Sequence, residues 1–269
     1  MPQRTPRVAT VLSTSRLTDH LIRIEFGGPG LHGFAAGEFT DHYVKVQLPP
    51  PGASYSAPFD VEELRERLPR DELPRIRSYT VREWDPELRR LTLDFVVHGD
   101  VGIAGPWASG AKPGDMLQLM GPGGAYTPDP DAAWHLMVGD PSVLPAIAAS
   151  LPRIPEGVPV HVLVEVDDDD DRVELTSPGD LHVRWLERDT SAEVLRGFEF
   201  PPGDVHAFIH GEASVVREVR RHLVADRGIP REALSVSGYW KRTLTDEEWR
   251  AAKAEWKAQV EQDDAALSR

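Results

Sequence analysis

The sequence predicts two domains of different class: an antiparallel β-barrel first, then an α/β domain on a parallel sheet. Three observations carry this. Residues 1–128 hold short runs rich in Val, Ile, Leu and Phe, bounded by Gly or Pro, with no long helix between them. Residues 129–269 alternate such runs with helical periodicity. The turn-rich YTPDPD at residues 126–131 separates the two patterns. A chain of 269 residues is long enough for two cores of ordinary size.

In the first half, strands are predicted at residues 7–13, 20–26, 43–48, 90–98 and 116–120. Residues 77–80 also read as extended, and residues 61–68 as a short helix within an insertion. The clearest strand is RRLTLDFVVHG. It sets Leu91, Leu93, Phe95 and Val97 on one face and Thr92, Asp94, Val96 and His98 on the other. In the second half, strands are predicted at 134–138, 160–166, 182–186, 205–210 and 233–237, with helices at 142–150, 192–196, 211–228 and 246–261. Val215, Val216, Val219, Leu223 and Val224 follow helical spacing, and Gly228 is a natural stop. Thr245 with Glu248 three residues later predicts a capping box. Trp249 and Trp256 share one face of the last helix, which is expected to pack on the second domain.

Composition excludes several function classes. With 40% hydrophobic and 28% charged residues the chain is globular. Cysteine is absent, which removes disulfides, iron–sulfur clusters, thiolate zinc sites and cysteine nucleophiles. The net charge of −14 argues against attraction to nucleic acid or anionic lipid, so any anionic ligand needs a local focus of positive charge. No apolar run reaches membrane length, and MPQRTPRVATVLS lacks the apolar core of a secretory signal. A cytoplasmic monomer is the expectation. The five aspartates at 167–171 read as a solvated loop, and no protein metal ligands are predicted.

Four short stretches carry usable chemistry. On an extended strand Arg77 and Tyr79 point one way, Ser78 and Thr80 the other. Arg77 offers a planar fork for a diphosphate, and Tyr79 an aromatic face for a heterocycle. Gly102, Ala104, Trp107 and Ala108 lie where small residues open a helical turn, whose amides suit an anion. Gly139, Asp140 and Ser142 stand where a strand runs into a helix, with Ser142 a candidate cap. His210, Gly211 and Glu212 repeat that arrangement, and Gly211 would let a dinucleotide approach the backbone. Neither stretch is a full G-x-G-x-x-G.

Taken in order, DHYVKVQLP (41–49), RSYTVREWD (77–85), LTLDFVVHGDVGIAGPWASGAKPGDMLQLMGPGGAY (91–126), MVGDPSVLPAIA (137–148), IHGEASVVREVRRHL (209–223) and SGYWKRTLTDEEW (237–249) resemble the siderophore-interacting protein family. These are FAD-dependent ferric-siderophore reductases within the ferredoxin-reductase-like superfamily. The resemblance implies a six-stranded antiparallel barrel that binds FAD and an α/β parallel-sheet domain that binds NADPH or NADH. Arg77 would engage the FAD diphosphate, with Ser78 beside it, and Tyr79 and Thr80 would flank the ring. Asp94, Phe95, Val96, His98 and Gly99 would line the flavin mononucleotide part; Gly102, Ala104, Trp107 and Ala108 would hold phosphates and adenosine. Asp140 and Ser142, with Gly211 and Glu212, would contribute from the second domain. Lys45, Lys241 and Arg242 would meet an anionic ferric siderophore. No catalytic side chain is implied, because the flavin converts a two-electron hydride into single electrons for iron.

The chain departs from the family at two places. Gly102-Ile103-Ala104 stands where Gly-Pro-Ala is usual, and Gly139-Asp140-Pro141-Ser142-Val143 where Gly-Asp-Glu-Thr-Ala is usual. The donor stays open between NADH, NADPH and a ferredoxin-type protein, with the resemblance favouring NADPH. Two other readings stand beside the reductase: a superfamily flavin reductase with a different acceptor, and a non-catalytic flavin-binding protein.

Overall fold

The computed structural model describes the backbone of residues 6–267 and the side chains of residues 6–263. The chain divides into two compact units, Met1–Thr127 and Pro128–Arg269. The first is a closed antiparallel barrel of β1 (Arg7–Thr18), β2 (Leu21–Gly27), β3 (Tyr43–Leu48), β4 (Arg75–Asp85), β5 (Arg90–Val96) and β6 (Met116–Gly123), in the order β1-β2-β5-β4-β3-β6. Closure gives every strand a neighbour on each side. Two short helices interrupt it, α1 (Val61–Arg67) in the β3–β4 insertion and α2 (Ala104–Gly110) after β5.

The barrel core follows the period-two pattern of β5. Leu91, Leu93 and Phe95 are fully buried, packed with Ile24, Phe26, Val44, Val46 and Leu119. The opposite face of β5 is not wet. Asp94 is buried there beneath Arg23, which donates to both its carboxylate oxygens at 2.7 and 2.8 Å. A two-toothed pair of this kind holds a charge out of water because each oxygen has its own donor.

The second unit is a five-stranded parallel sheet of β7 (Trp134–Gly139), β8 (Pro159–Glu165), β9 (Asp180–Leu186), β10 (Val205–Glu212) and β11 (Leu234–Trp240), in the order β11-β10-β7-β8-β9. Its helices are α3 (Leu144–Ser150), α4 (Ser191–Arg196), α5 (Ala213–Arg221) and α6 (Asp246–Leu267). Every residue of β7 is buried, as a central strand covered on both faces must be. The strand order reverses direction between β7 and β10, which makes that crevice the topological switch point.

Local signals act as read. The Thr245 amide donates to Glu248 Oε2 at 2.8 Å and the Glu248 amide to Thr245 Oγ1 at 3.3 Å, both halves of a capping box. Trp249 and Trp256 are buried against the second-unit core, and the Trp256 indole donates to Ala213 O at 3.1 Å. Two readings are corrected. β6 runs on through Gly121, Pro122 and Gly123 rather than ending at Met120, because Tyr43 on β3 pairs as far as Gly123. α5 keeps regular geometry only to Arg221 and continues in a wider turn, His222–Asp226, before Gly228.

The sheet also buries histidines. His135 on β7 is fully enclosed, pairs in register with His206 on β10, and neither of its ring nitrogens finds a partner. Burial pushes its pKa down to about 4, and burial likewise takes His210 to about 3. A depressed histidine pKa means the unfolded chain binds the proton more readily. The stability is therefore complete above about pH 6.5, the ordinary histidine value, and is lost as pH falls toward the folded values. Between pH 7.5 and 5, His135 alone contributes a loss of about 2 kcal/mol. Denaturant titrations at the two pH values should show His135→Leu flattening the loss by about that amount. An equal loss in both proteins would refute the assignment.

Candidate flavin site and the switch-point crevice

In the barrel, β4 divides its length between two neighbours. It pairs with β3 from Arg75↔Leu48 to Thr80↔Tyr43, and with β5 only from Val81↔Leu93 onward. Beyond Leu93, β5 keeps its ladder with β2 alone, through Arg23↔Asp94, Ile22↔Phe95 and Leu21↔Val96. The wall therefore parts between Arg77, Ser78, Tyr79 and Thr80 on one side and Asp94, Phe95 and Val96 on the other.

Aromatic rings close the inner side of this parting. The Tyr79 ring lies 4.3 Å from Phe95, and Phe95 lies 5.8 Å from Trp107 on α2, whose ring stacks on Phe26 at 6.4 Å. Phe95 is wholly buried; Tyr79 and Trp107 are half-buried and present surface. Arg77 is half-buried and donates to Ile76 O at 2.9 Å. Ser78 is exposed, whereas Thr80 is buried.

His98, Gly99 and Gly102 form an exposed turn leading into α2, and Gly102 sits at φ 82° with nothing near where a Cβ would stand. No side chain caps α2, so its opening amides face no internal acceptor side chain. Ala104 and Ala108 are buried on the side of α2 that packs into the barrel core. A parted wall, half-buried rings, an arginine and an uncapped turn suit a flat heterocycle carrying a diphosphate.

The second unit arranges its candidates differently. Asp140 follows β7, and its Oδ1 accepts from the Ser142 amide at 2.9 Å and the Ser142 hydroxyl at 2.5 Å. Its Oδ2 accepts from the Glu212 amide at 2.9 Å and the Trp240 indole at 2.8 Å. Burial pushes the Asp140 pKa up, while these four donors pull it down. Ser142 thus donates to Asp140 instead of capping the helix itself. Glu212 Oε2 accepts from the Ser214 and Val215 amides at the start of α5, and its Oε1 accepts from the Arg242 amide.

Gly211 sits at φ 127°, and a Cβ there would lie 2.5 Å from Asp140 Oδ2, so this carboxylate occupies the space beside it.

Sequence reasoning missed Glu165. It ends β8 and accepts from the Asp189 and Ser191 amides, each at 3.0 Å. Its only signal was an acid at a strand's carboxyl end, hidden by the aspartate run that follows. In that run Asp167 pairs with Arg188, Asp169 pairs with Arg172, and Asp171 is buried. Among the described residues no cluster of three or more His, Asp and Glu is arranged to hold a metal ion.

Of the three substrate candidates, Arg242 is engaged in a two-toothed pair with Asp189 at 2.8 and 2.9 Å. Among the described residues Lys45 and Lys241 form no ion pair. Lys45 is exposed on the outer face of β3, where it pairs in register with Ser78 and Met120. The same face, through Gln47, Gln118 and Met120, floors a groove of about 740 Å³ under the α1 insertion.

Residues 10–126 match the siderophore-interacting FAD-binding domain, and residues 132–243 match the siderophore-interacting protein domain. Ferric vibriobactin reductase of Vibrio cholerae is 33% identical over 90% of this chain and 92% of its own length. The NADPH-dependent ferric-chelate reductase of Escherichia coli is 32% identical over 87% and 92%. Among solved structures, the siderophore-interacting protein of Aeromonas hydrophila superposes with a TM-score of 0.79 at 28% identity, over 94% and 98% of the two chains. A siderophore utilization protein from T. fusca gives 0.75 at 32% identity, over 90% and 95%. No helix of the described residues is long and apolar enough to cross a membrane. With both of its halves matched and relatives aligned over nine-tenths of its length, the chain belongs to the siderophore-interacting protein family.

Proposed function

We propose that the protein is an FAD-dependent ferric-siderophore reductase that takes electrons from a reduced nicotinamide dinucleotide and releases ferrous iron from its chelator. The observation that supports this best is the parted barrel wall, which lies inside the segment matched to an FAD-binding domain. When bound, FAD supplies the conversion of a two-electron hydride into one-electron steps.

The chain's own residues do the holding. Arg77 places its guanidinium at the parting for a diphosphate, and Tyr79 and Trp107 offer ring faces against which a flat heterocycle excludes water. The turn through Gly99 and Gly102 brings the uncapped amides of α2 to a phosphate. Asp94 is taken up by Arg23, which fixes the backbone of β5 at the lip of the site. No side chain here acts as an acid or base. Ferric iron arrives as substrate within an organic chelate, and its reduction weakens the hold of hard oxygen ligands.

For an anionic chelate the whole-molecule charge is repulsive, so local cations set the affinity. Lys45 and Lys241 are the free candidates, whereas Asp189 neutralises Arg242. The names of the Vibrio cholerae and Escherichia coli relatives favour the reductase over a flavin-binding protein without turnover.

Under anaerobic conditions the FAD-loaded protein, once reduced, should reoxidise on adding a ferric siderophore while a ferrous-specific chelator takes up iron. Reduced protein that stays reduced in the presence of the ferric chelate would contradict the proposal. Lys45→Ala and Lys241→Ala should each raise KM for an anionic ferric chelate about threefold to tenfold, with kcat nearly unchanged, as loss of an exposed attractive charge does. An unchanged KM in both variants would remove them from the substrate site.

A further inference from the structure

In open parallel sheets a dinucleotide is held at the switch point, with its diphosphate on backbone amides at strand ends and helix starts. Here those amides already have acceptors. Asp140, Glu165 and Glu212 stand at the carboxyl ends of β7, β8 and β10 and are all buried. Between them they accept from the amides of Ser142, Asp189, Ser191, Glu212, Ser214, Val215 and Arg242.

The Trp240 indole reaches back from β11 to Asp140, and the cavity left among Gly139, Asp140, Glu165, His210 and Glu212 measures about 10 Å³. That is room for about one water molecule. The Arg242 guanidinium, whose charge acts on both Glu165 and Glu212, is committed to Asp189.

We propose that Asp140 and Glu212, with Glu165 beside them, are specificity-determining anions: their carboxylates occupy the phosphate sites of this sheet, so the electron donor is not recognised there through its diphosphate. A phosphate brought to this edge would meet three buried carboxylates of its own sign, which already hold the amides of Ser142, Glu212, Ser214 and Val215. The four groups that meet the Asp140 oxygens, the Ser142 and Glu212 amides, the Ser142 hydroxyl and the Trp240 indole, can each donate, which suits a carboxylate. The inference deepens the reductase reading and rests on it for the existence of a donor. The nicotinamide ring is then the part of the donor that matters, and the adenylate half adds little.

Amide hydrogen exchange of the FAD-loaded protein, with and without millimolar NADP⁺ or NAD⁺, reads the crevice directly. Peptides spanning residues 139–144 and 211–216 should exchange at unchanged rates; slowing of about twofold or more on adding either nucleotide would overturn the proposal. A kinetic comparison gives a second reading. Reduced nicotinamide mononucleotide, which keeps the ring and lacks the adenylate half, should reduce the bound flavin within about threefold of the NADPH rate. A preference for NADPH of about a hundredfold or more would overturn the proposal. Failure of the reductase reading shows separately, as photochemically reduced protein that passes no electrons to a ferric chelate.

Discussion

In a closed barrel each strand needs a neighbour on both sides, and β4 meets that need by dividing its length between β3 and β5. The rest of the first unit follows from this division. Where β4 turns to β3, the upper part of β5 is left with β2 alone, and side chains seal the wall in place of a ladder. Phe95 fills the gap from inside, while Tyr79 and Trp107 lie against it with surface to spare. Asp94, held by Arg23 on the other face, ties the end of β5 to β2. An opening of this kind leaves backbone and ring surface that a bound heterocycle completes.

The second unit handles its exposed polar groups in the opposite way. The α2 turn in the barrel has no capping side chain, whereas the start of α5 is closed by Glu212 and the β7 exit by Asp140. Both units use glycine at a strand-to-helix junction, for different physical reasons. Gly102 stands in open space, and Gly211 yields its Cβ position to a carboxylate. The same residue type thus stands in open space in one unit and against a carboxylate in the other.

Much of the architecture was legible because it rests on local periodicity. The alternation in RRLTLDFVVHG names the barrel-facing side of β5, and the helical spacing of Val215, Val216 and Val219 gives α5 its buried stripe. The pairing of Thr245 with Glu248 fixes the start of α6 within a residue. What was not legible depends on contacts across the chain. Asp140 meets Trp240 a hundred residues later, and no spacing rule predicts that bond. Glu165 sits beside a run of aspartates that hides it, and Arg242 looks like a free cation until Asp189 is brought beside it by the fold. Resemblance supplied the candidate flavin residues in chain order. The parting of β4 from β5 supplies a physical reason why those residues stand together.

The reading of the barrel as the seat of FAD, with Tyr79 and Trp107 against it, is open to a binding titration in which FAD is added to FAD-free protein while flavin fluorescence is followed. Saturation at equimolar FAD with strong quenching is expected, as is weaker, brighter binding in Tyr79→Ala. A folded protein that leaves flavin fluorescence unchanged across the titration would refute that reading.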